Sequence, residues 1–352
     1  MITIDAILLL ALIITAFLQQ PSFGRQPSGE RLERIKRSPN YFDGQFKNLE
    51  STELMTGEKN RWKSLWEFIS SDRSALKPDH PIPAMKTDLK AIPKDSNLMV
   101  WFGHSSYLLQ INDKRILADP VFYSAAPVSF INKPFEGTDI YKPEDMPEID
   151  YLMISHDHWD HLDYKTVKEL KKKTGKVICP LGVGSHFERW GYDKEKLVEL
   201  DWYESIRLDS SFTVHCMPAR HFSGRGLKSN KTLWASYLID AGTLKVYMGG
   251  DSGYGIHFKE IGDKYPGIDW AILENGQYSK NWKYIHTMPE QLHRAAKDLK
   301  AKNIVTVHHS KYSLSDFHRW DEPTGNAERL RRDTTLHVAI PKIGEVFPLT
   351  AE

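Results

Sequence analysis

Residues 155–163 read Ser-His-Asp-His-Trp-Asp-His-Leu-Asp, and they directly follow the apolar run Tyr151–Ile154. The apolar run is too short for a helix and predicts a buried strand. Three histidines and the candidate ligand Asp160 then fall within the six residues 156–161. Neutral imidazoles and carboxylates are ligands for zinc and iron, and a carboxylate can also orient a bound water. The stretch therefore predicts a metal site at the mouth of a sheet rather than a solvated polar loop.

Three further segments place a histidine or an aspartate just beyond a predicted strand. His221 follows residues 212–217, Asp251 follows residues 245–248, and His308 follows residues 304–307. Each is weak alone, because a histidine at a strand end is commonly a capped or solvated residue. Together with the first stretch they offer seven ligands, enough for two ions with four or five ligands each. These candidates are His156, His158, Asp160, His161, His221, Asp251 and His308.

The hydrophobic pattern from residue 96 onward predicts one α/β domain over residues 96–352. A meander of three strands over residues 98–118 is followed by helices that alternate with short apolar runs. Asp163 is expected to cap a helix over residues 164–173, which Gly175 ends. Residues 287–290 have the spacing of a capping box and contain a proline, which predicts the start of a helix that continues to Leu299.

The composition is that of an ordinary globular protein. The 352 residues are 40% hydrophobic and 26% charged, which allows a large core. A formal net charge of +1 gives no reason to expect a nucleic-acid partner. The two cysteines, Cys179 and Cys216, form no disulfide framework and are expected to be small buried side chains.

The first 95 residues differ from the rest of the chain. Ile7–Leu18 is uncharged and apolar, and residues 1–24 are expected to be a signal or membrane-anchor segment. Basic residues follow this run, whereas Asp5 stands where a signal peptide carries a positive charge, so a retained anchor would favour a cytoplasmic body. A cleaved signal would instead export the body, and a buried core helix is the third alternative. We therefore expect membrane association or export. Residues 25–95 are expected to be an irregular lead-in with a short helix over Arg61–Ile69.

The ligand pattern resembles that of the metallo-β-lactamase fold superfamily. The run His156-x-His158-x-Asp160-His161, with the three later ligands, is highly specific for that superfamily. Longer segments resemble the N-acyl-phosphatidylethanolamine-hydrolysing phospholipase D group and the bacterial RomA-like proteins associated with the outer membrane. The resemblance covers roughly residues 95–348, and its segments are residues 101–104, 117–122, 155–163, 250–254 and 283–290.

The resemblance implies an αββα sandwich with two metal ions, usually zinc, at the edge between the sheets. The residue types also suit iron or manganese. By this resemblance one ion is held by His156, His158 and His221, and the other is held by Asp160, His161 and His308. Asp251 bridges the two ions. His309 is an alternative to His308, and His308 is preferred because the apolar run ends at the residue before it.

The family chemistry implied is hydrolysis of a phosphodiester by a phospholipase D-type enzyme that acts on N-acyl-phosphatidylethanolamine-like lipids. Two cations would lower the pKa of a shared water and stabilise the developing charge on phosphate. Asp160 and Asp251 would orient that water, and His286 would meet the phosphate or the leaving group. His104 and Asp119 are candidates for positioning a metal ligand. The expected partner is a phospholipid or another small phosphodiester.

Two other functions remain as alternatives. A lactonase or another ester hydrolase would use the same metal centre, whereas a non-catalytic envelope protein would keep only the fold. Residues 222–226 and 274–278 depart from the family pattern at the border of the substrate site, so the lipid head group is left open. Asp157 also departs from the pattern, at a position between ligands where little consequence is expected.

Overall fold

The computed structural model describes residues 2–57, 74–130, 132–314, 318–332 and 336–351. The helix predicted over Arg61–Ile69 lies outside these residues. In chain order the α-helices of the described residues are α1 (Ile2–Leu18), α2 (Gly29–Lys36), α3 (Tyr164–Leu170), α4 (Gly184–Arg189), α5 (His257–Lys264), α6 (Pro289–Asp298) and α7 (Glu322–Arg331).

Strands are numbered along the chain, and β1 (Tyr41–Phe42) pairs with β2 (Gln45–Phe46) as a hairpin in the lead-in. The first large sheet contains, in spatial order, β16 (Val346–Pro348), β3 (Leu98–Trp101), β4 (Tyr107–Ile111), β5 (Lys114–Ala118), β6 (Ile149–Met153), β7 (Thr174–Pro180) and β8 (Leu197–Leu200). The second contains β15 (His337–Ala339), β14 (Asn303–Val307), β13 (Trp270–Glu274), β12 (Lys245–Met248), β11 (Ser236–Asp240), β10 (Thr213–Met217) and β9 (Ser205–Arg207).

Each large sheet has an antiparallel part and a parallel part. In the first sheet β3, β4 and β5 form the predicted meander, and β5 to β8 run parallel. In the second sheet β10 to β12 are antiparallel, and β12 to β15 run parallel. The strands β12, β13 and β14 are parallel and are joined by crossover connections. Their carboxyl ends therefore lie at the same edge of the sheet. The loops that follow these ends, together with the loops after β6 and β10, hold the site described below.

The core lies in three layers, because successive side chains of a strand point to opposite faces. Met99, Leu109 and Ile116 face the other sheet, where they meet Val214, Ile239 and Ile272 in the central cluster. The outer face of the first sheet packs on α3 and α4, and that of the second sheet packs on α5, α6 and α7. Burying a side chain of this size stabilises the fold by about 1.5–3 kcal/mol. The predicted αββα sandwich is confirmed.

Two predicted helix boundaries differ from the structure. Asp163 caps α3 as predicted, since its Oδ1 accepts from the Lys165 amide at 3.2 Å. The α-helix ends at Leu170, however, and Gly175 lies inside β7 instead of stopping the helix. Lys171–Lys173 form a 3-10 turn between them, so the chain tightens into the strand without a glycine cap.

The capping box of α6 is displaced by one residue from its predicted position. Met288 is the N-cap, and its amide donates to Gln291 Oε1 at 3.2 Å. Thr287 Oγ1 donates to the carbonyl of Ser252 at 2.7 Å instead of capping the helix. Tertiary contact with the loop after β12 therefore replaces the local cap.

The structure of the N-terminal region excludes one of the three alternatives. The side chains at positions 7–10 and 12–14 of α1 are 47–67% exposed, which contradicts the alternative of a buried core helix. Among the described residues no helix combines the length and the apolarity needed to cross a bilayer. The lead-in is more regular than predicted, because it contains α2 and the β1–β2 hairpin.

Candidate metal centre

His156, His158 and His221 form one group of converging ring nitrogens. His156 Nε2 lies 2.8 Å from His158 Nδ1, and His221 Nε2 lies 3.2 Å from the same nitrogen. His221 Nδ1 donates to the carbonyl of Ile285 at 2.8 Å, so its Nε2 carries a lone pair. Ring nitrogens that lie this close together and carry free lone pairs can bind a shared cation.

Asp160, His161 and His308 form a second group. Asp160 Oδ2 lies 3.4 Å from the Nε2 atoms of both His161 and His308. His104 Nε2 lies 2.9 Å from the same oxygen, which makes His104 a partner of Asp160. This contact matches the positioning role expected for His104.

Asp251 lies between the two groups. Its Oδ2 is 3.1 Å from His161 Nε2 and 3.3 Å from His308 Nε2. The same oxygen is 3.8 Å from His221 Nε2 and 3.9 Å from His156 Nε2. One carboxylate oxygen thus reaches ligands of both groups, and the structure brings all seven sequence-predicted ligands together.

His309 turns away from this cluster. Its Nδ1 lies 2.7 Å from Ser310 Oγ, and its ring packs 4.8 Å from that of Trp101. His308, in contrast, belongs to two of the convergent groups. The geometry therefore favours His308 over His309 as the ligand.

Three residues at the site, one of them the ligand His308, have a strained backbone conformation. His104, Asp119 and His308 have positive φ angles of 52°, 40° and 69°. Such conformations cost about 1–3 kcal/mol each and persist only where surrounding contacts hold them. Two backbone hydrogen bonds supply such contacts. The His308 amide donates to His104 O at 2.9 Å, and the His104 amide donates to His309 O at 2.8 Å.

Gly276 lets the chain approach the ligand loop closely. A Cβ atom at this position would lie 2.1 Å from the carbonyl oxygen of His308. His308 Nδ1 also lies 3.3 Å from the Gly276 carbonyl. Only glycine fits at this contact without displacing the His308 backbone.

Asp119 supports the imidazole of His161. Its Oδ2 lies 2.9 Å from His161 Nδ1, and its two oxygens accept from the amide and hydroxyl of Ser155 at 2.7 and 2.6 Å. A carboxylate at Nδ1 fixes the tautomer that presents Nε2 as a ligand. The contact is the one expected for Asp119.

Glu274 is a supporting residue that the sequence analysis missed. Its Oε2 lies 2.7 Å from His286 Nδ1 and 3.4 Å from His308 Nδ1. Its Oε1 accepts from the amides of Ser252 and Thr287 at 2.9 and 2.8 Å. Glu274 is the last residue of β13, so the strand-end rule that identified the ligands would also have identified it.

The residues present fit two metal ions. His161 Nε2 and Asp251 Oδ1 are buried and have no hydrogen-bond partner among the described residues. Burying such atoms unpaired is costly unless a cation or water is bound to them. Six histidine and aspartate side chains plus a central carboxylate are the donor types that zinc, iron and manganese accept.

The chain matches a known protein family. The family model described as "Beta-lactamase superfamily domain" matches residues 114–309, more than half of the chain, and this span contains all seven predicted ligands. The chain belongs to the metallo-β-lactamase superfamily.

This metallo-hydrolase is also similar to two relatives and to one solved structure. It is 58% identical to the outer membrane protein RomA of Klebsiella pneumoniae over 103 residues, 29% of this chain and 78% of RomA. It is 29% identical to N-acyl-phosphatidylethanolamine-hydrolyzing phospholipase D 1 of Caenorhabditis elegans over 282 residues, which cover 75% of this chain and 78% of that protein. Igni18, a metallo hydrolase from the archaeon Ignicoccus hospitalis, superposes with a TM-score of 0.54 at 19% identity and covers 71% of this chain and 97% of Igni18. The last likeness shows the fold alone.

The electrostatics of the metallo-hydrolase site separate its histidines into two kinds. Burial lowers the pKa values of His156, His158 and His221, which keeps these rings neutral. Burial would also lower the pKa of His308, but Asp251, Asp160 and Glu274 raise it to about 10. Likewise Asp251 and Asp160 outweigh burial and hold the pKa of His161 well above its ordinary value. In the metal-free protein His161 and His308 therefore bind protons at the position where the charge of a metal ion would lie.

Zinc binding should release these protons. Because the pKa values of His161 and His308 are raised, both rings are protonated at pH 7.5, and a metal ligand must be deprotonated. We expect release of about two protons per fully loaded chain at this pH, with zinc affinity rising as the pH rises toward 10. Calorimetry in buffers of different ionisation enthalpy measures the number directly. Zinc uptake without proton release would contradict the assignment of these two rings.

Glu274→Gln should weaken the site without removing a ligand. Loss of the negative charge leaves the Nδ1 atoms of His286 and His308 without their carboxylate partner. Substitution of such a supporting carboxylate typically lowers metal affinity or activity by about 10- to 100-fold. Chelator competition and a hydrolysis assay measure the two effects. The exposed Glu290→Gln on α6 is the matched control, and equal effects of both variants would refute the role of Glu274.

Proposed function

We propose that this metallo-hydrolase is a phosphodiesterase of phospholipase D type that acts on N-acyl-phosphatidylethanolamine-like lipids, with zinc as its metal. The similarity to the Caenorhabditis elegans enzyme supports a phospholipid-type substrate. The observation that most supports the proposal is a cleft at the ligand cluster that is lined by the ligands and by apolar side chains.

The cleft has a polar floor and apolar walls. Its volume is about 230 Å³. The floor is formed by the ligands His158, Asp160, His221, Asp251 and His308, and His286 stands beside them. A phosphate at the floor would have its acyl and glycerol substituents against the walls, which are formed by Met55, Phe222, Trp282, Ile285 and Leu314. This pairing of anion-binding floor and apolar wall suits an amphipathic diester better than a small polar one.

The side chains of the site have distinct tasks in such a reaction. Bound metal ions supply an activated water and stabilise negative charge on phosphate. Asp160 and Asp251 would orient the attacking water, whose oxygen forms the new bond to phosphorus as the bond to the leaving oxygen breaks. The ring of His286 stacks on that of His308 with ring centres 5.3 Å apart, and its centre lies 5.0 Å from that of the His221 ring.

His286 is placed to protonate the leaving group. Its Nδ1 is held by Glu274 at 2.7 Å, so its Nε2 is the ring atom left for the substrate. In its protonated form His286 would donate from Nε2 to the departing alkoxide, and Glu274 would stabilise the charged ring. The assignment is geometric, since His286 lines the same cleft as the ligands.

A panel of defined substrates tests the proposal. Zinc-loaded protein should release phosphatidic acid and N-acylethanolamine from vesicles that contain N-acyl-phosphatidylethanolamine, and chelator should abolish the reaction. It should also cleave bis-p-nitrophenyl phosphate. Efficient cleavage of lactones without cleavage of any phosphodiester would replace the proposal with the lactonase alternative. A folded, metal-loaded protein that cleaves neither class would favour a non-catalytic role.

Met55→Ser should affect lipid substrates selectively. Met55 lines the cleft and is 62% exposed, so a bound acyl chain would cover it. Losing this contact should raise KM for the lipid about fivefold and leave kcat on bis-p-nitrophenyl phosphate unchanged. Met85→Ser is the control, because Met85 is 49% exposed but does not line the cleft. Equal KM values for wild type and Met55→Ser would argue against the apolar wall as the acyl site.

We also propose that α1 brings the protein to a lipid surface. Its exposed apolar side chains occur at consecutive positions, so they surround the helix instead of forming one stripe. Five basic residues follow it between positions 25 and 37, and the exposed ones among them, Arg25, Lys36 and Arg37, would meet anionic head groups. Co-sedimentation with anionic vesicles tests this, and Leu9→Asp should abolish binding. Unchanged binding of that variant would contradict the proposal.

A further inference from the structure

Residues 21–25, which we call the N-terminal brace, are bound to the body of the protein by their backbone. The Pro21 carbonyl accepts from Trp190 Nε1 at 2.7 Å. The Arg25 amide donates to His186 Nδ1 at 3.0 Å, and its carbonyl accepts from Ser185 Oγ at 2.7 Å. A segment whose backbone is paired with the body at both ends is part of the folded domain rather than a linker.

Gly24 shows how closely the brace approaches. A Cβ atom at this position would lie 1.9 Å from His186 Nδ1, and Gly24 has a φ of +70°. Phe23 packs edge-on against Trp159 with ring centres 5.0 Å apart. Trp159 stands between the ligands His158 and Asp160. The brace therefore touches the ligand loop itself.

Arg225 joins the brace to the ligand loop. Its Nε and Nη2 donate to the Ser22 carbonyl at 3.1 and 2.8 Å. Its Nη1 donates to the carbonyls of Asp157 and Leu162 at 2.9 and 2.6 Å, and the guanidinium lies 4.1 Å above the ring of Trp159. The side chain is almost completely buried. The planar guanidinium has donors in fixed directions, and here it holds all three carbonyls at once.

Asp157 and His186 form a second link between the same parts. Asp157 Oδ1 accepts from the Gly224 amide at 2.7 Å, and its Oδ2 accepts from Thr232 Oγ1 at 2.8 Å. His186 Nε2 donates to the same Oδ2 at 3.0 Å, while its Nδ1 accepts from the brace. One neutral imidazole thus connects residue 25 to the residue between two ligands. Asp157, from which little consequence was expected, is the inner end of this connection.

We propose that the N-terminal brace is a structural component of the metal centre, with Arg225 as the positioning residue through which it holds the ligand loop. Residues 157 and 162 bracket three of the four ligands of that loop, so loosening their carbonyls lets His158, Asp160 and His161 move. Metal affinity depends on ligand preorganisation as well as on ligand identity. A chain cleaved between residues 22 and 24 would lose the Ser22 contact, so the brace must be retained in the metal-loaded protein. The inference rests on the metal centre and is independent of the substrate proposed above.

Full-length variants test the brace by zinc affinity rather than by activity. Arg225→Gln, Gly24→Ala and the milder Trp190→Phe each disturb a different contact of the brace. We expect about a 10-fold or greater loss of zinc affinity for Arg225→Gln and Gly24→Ala in chelator competition, and a smaller loss for Trp190→Phe. The visible spectrum of the cobalt-substituted protein should change in the same order. Arg34→Gln is the control, because it breaks only an exposed pair with Glu204.

The thermal midpoint in chelator separates this role from a purely structural one. A structural contact would lower the midpoint of metal-free protein and leave the zinc affinity of the folded fraction unchanged. If Arg225→Gln does not fold, Trp190→Phe still decides, since it keeps an aromatic ring and removes the donor to Pro21. Wild-type zinc affinity in any folded brace variant would overturn the proposal, whereas failure of wild type to bind zinc would instead refute the metal centre.

Discussion

Replacing Asp251 by asparagine is expected to lower kcat/KM for phosphodiester hydrolysis by about 10³-fold. Asp251 Oδ2 lies within 3.9 Å of ring nitrogens from both ligand groups, so its charge faces both ion positions. Asparagine keeps the shape of the side chain but removes the negative charge that a bridging ligand supplies. Zinc content should fall from two ions to one or fewer per chain. Steady-state kinetics on bis-p-nitrophenyl phosphate and elemental analysis of the same sample measure both effects.

Asp269→Asn is the matched control for this variant. Asp269 is also a buried aspartate of the second sheet, but it accepts from the Lys245 amide at 2.8 Å at the opposite end of the strands. Its substitution should leave the zinc content unchanged. An Asp251→Asn protein that keeps two zinc ions and wild-type kinetics would show that this carboxylate bridges nothing.

The second large effect is expected for His286→Ala. Loss of a general acid typically slows the chemical step by about 10²- to 10⁴-fold, and we expect such a fall in kcat for the lipid substrate. Zinc content should remain at the wild-type value, because His286 is not one of the seven assigned ligands and its Nδ1 is paired with Glu274. Substrates with good leaving groups, such as p-nitrophenolate, need less protonation and should lose less activity.

His337→Gln provides the comparison for His286. The His337 ring pairs with Asn303 Oδ1 at 2.7 Å, at the end of the sheet opposite the site, so its loss should not alter kcat. Parallel loss of zinc and activity in His286→Ala would identify His286 as a ligand and remove its assignment as an acid. An unchanged difference between good and poor leaving groups would also contradict that assignment.

The ligands were predictable because each lies directly after a strand with a clear apolar pattern. Residues 156–161, His221, Asp251 and His308 all follow this rule, and the structure brings them together. Glu274 follows the same rule, but it begins the segment 274–278 that departs from the family pattern, so it was not identified. Arg225 could not have been found this way, because its role depends on three carbonyls that are distant in sequence.

The central strands were predictable for a similar physical reason, and the edges were not. The buried strand β3 is a continuous apolar run and β13 is apolar up to its last residue, whereas the edge strand β16 is short and ends in Pro348. Helix α7 contains Pro323 and Gly325, which give it a weak local signal. Its buried Leu330 packs in the cluster on the outer face of the second sheet, so tertiary packing stabilises what local propensity does not predict.

Anomalous diffraction from crystals of the zinc-loaded protein tests the central claim most directly. We expect two zinc peaks. One should lie about 2.0–2.1 Å from nitrogens of His156, His158 and His221, the other should lie at similar distances from Asp160, His161 and His308, and Asp251 should contact both. A single peak, or a second ion held by His104 in place of His308, would contradict the dinuclear site described here.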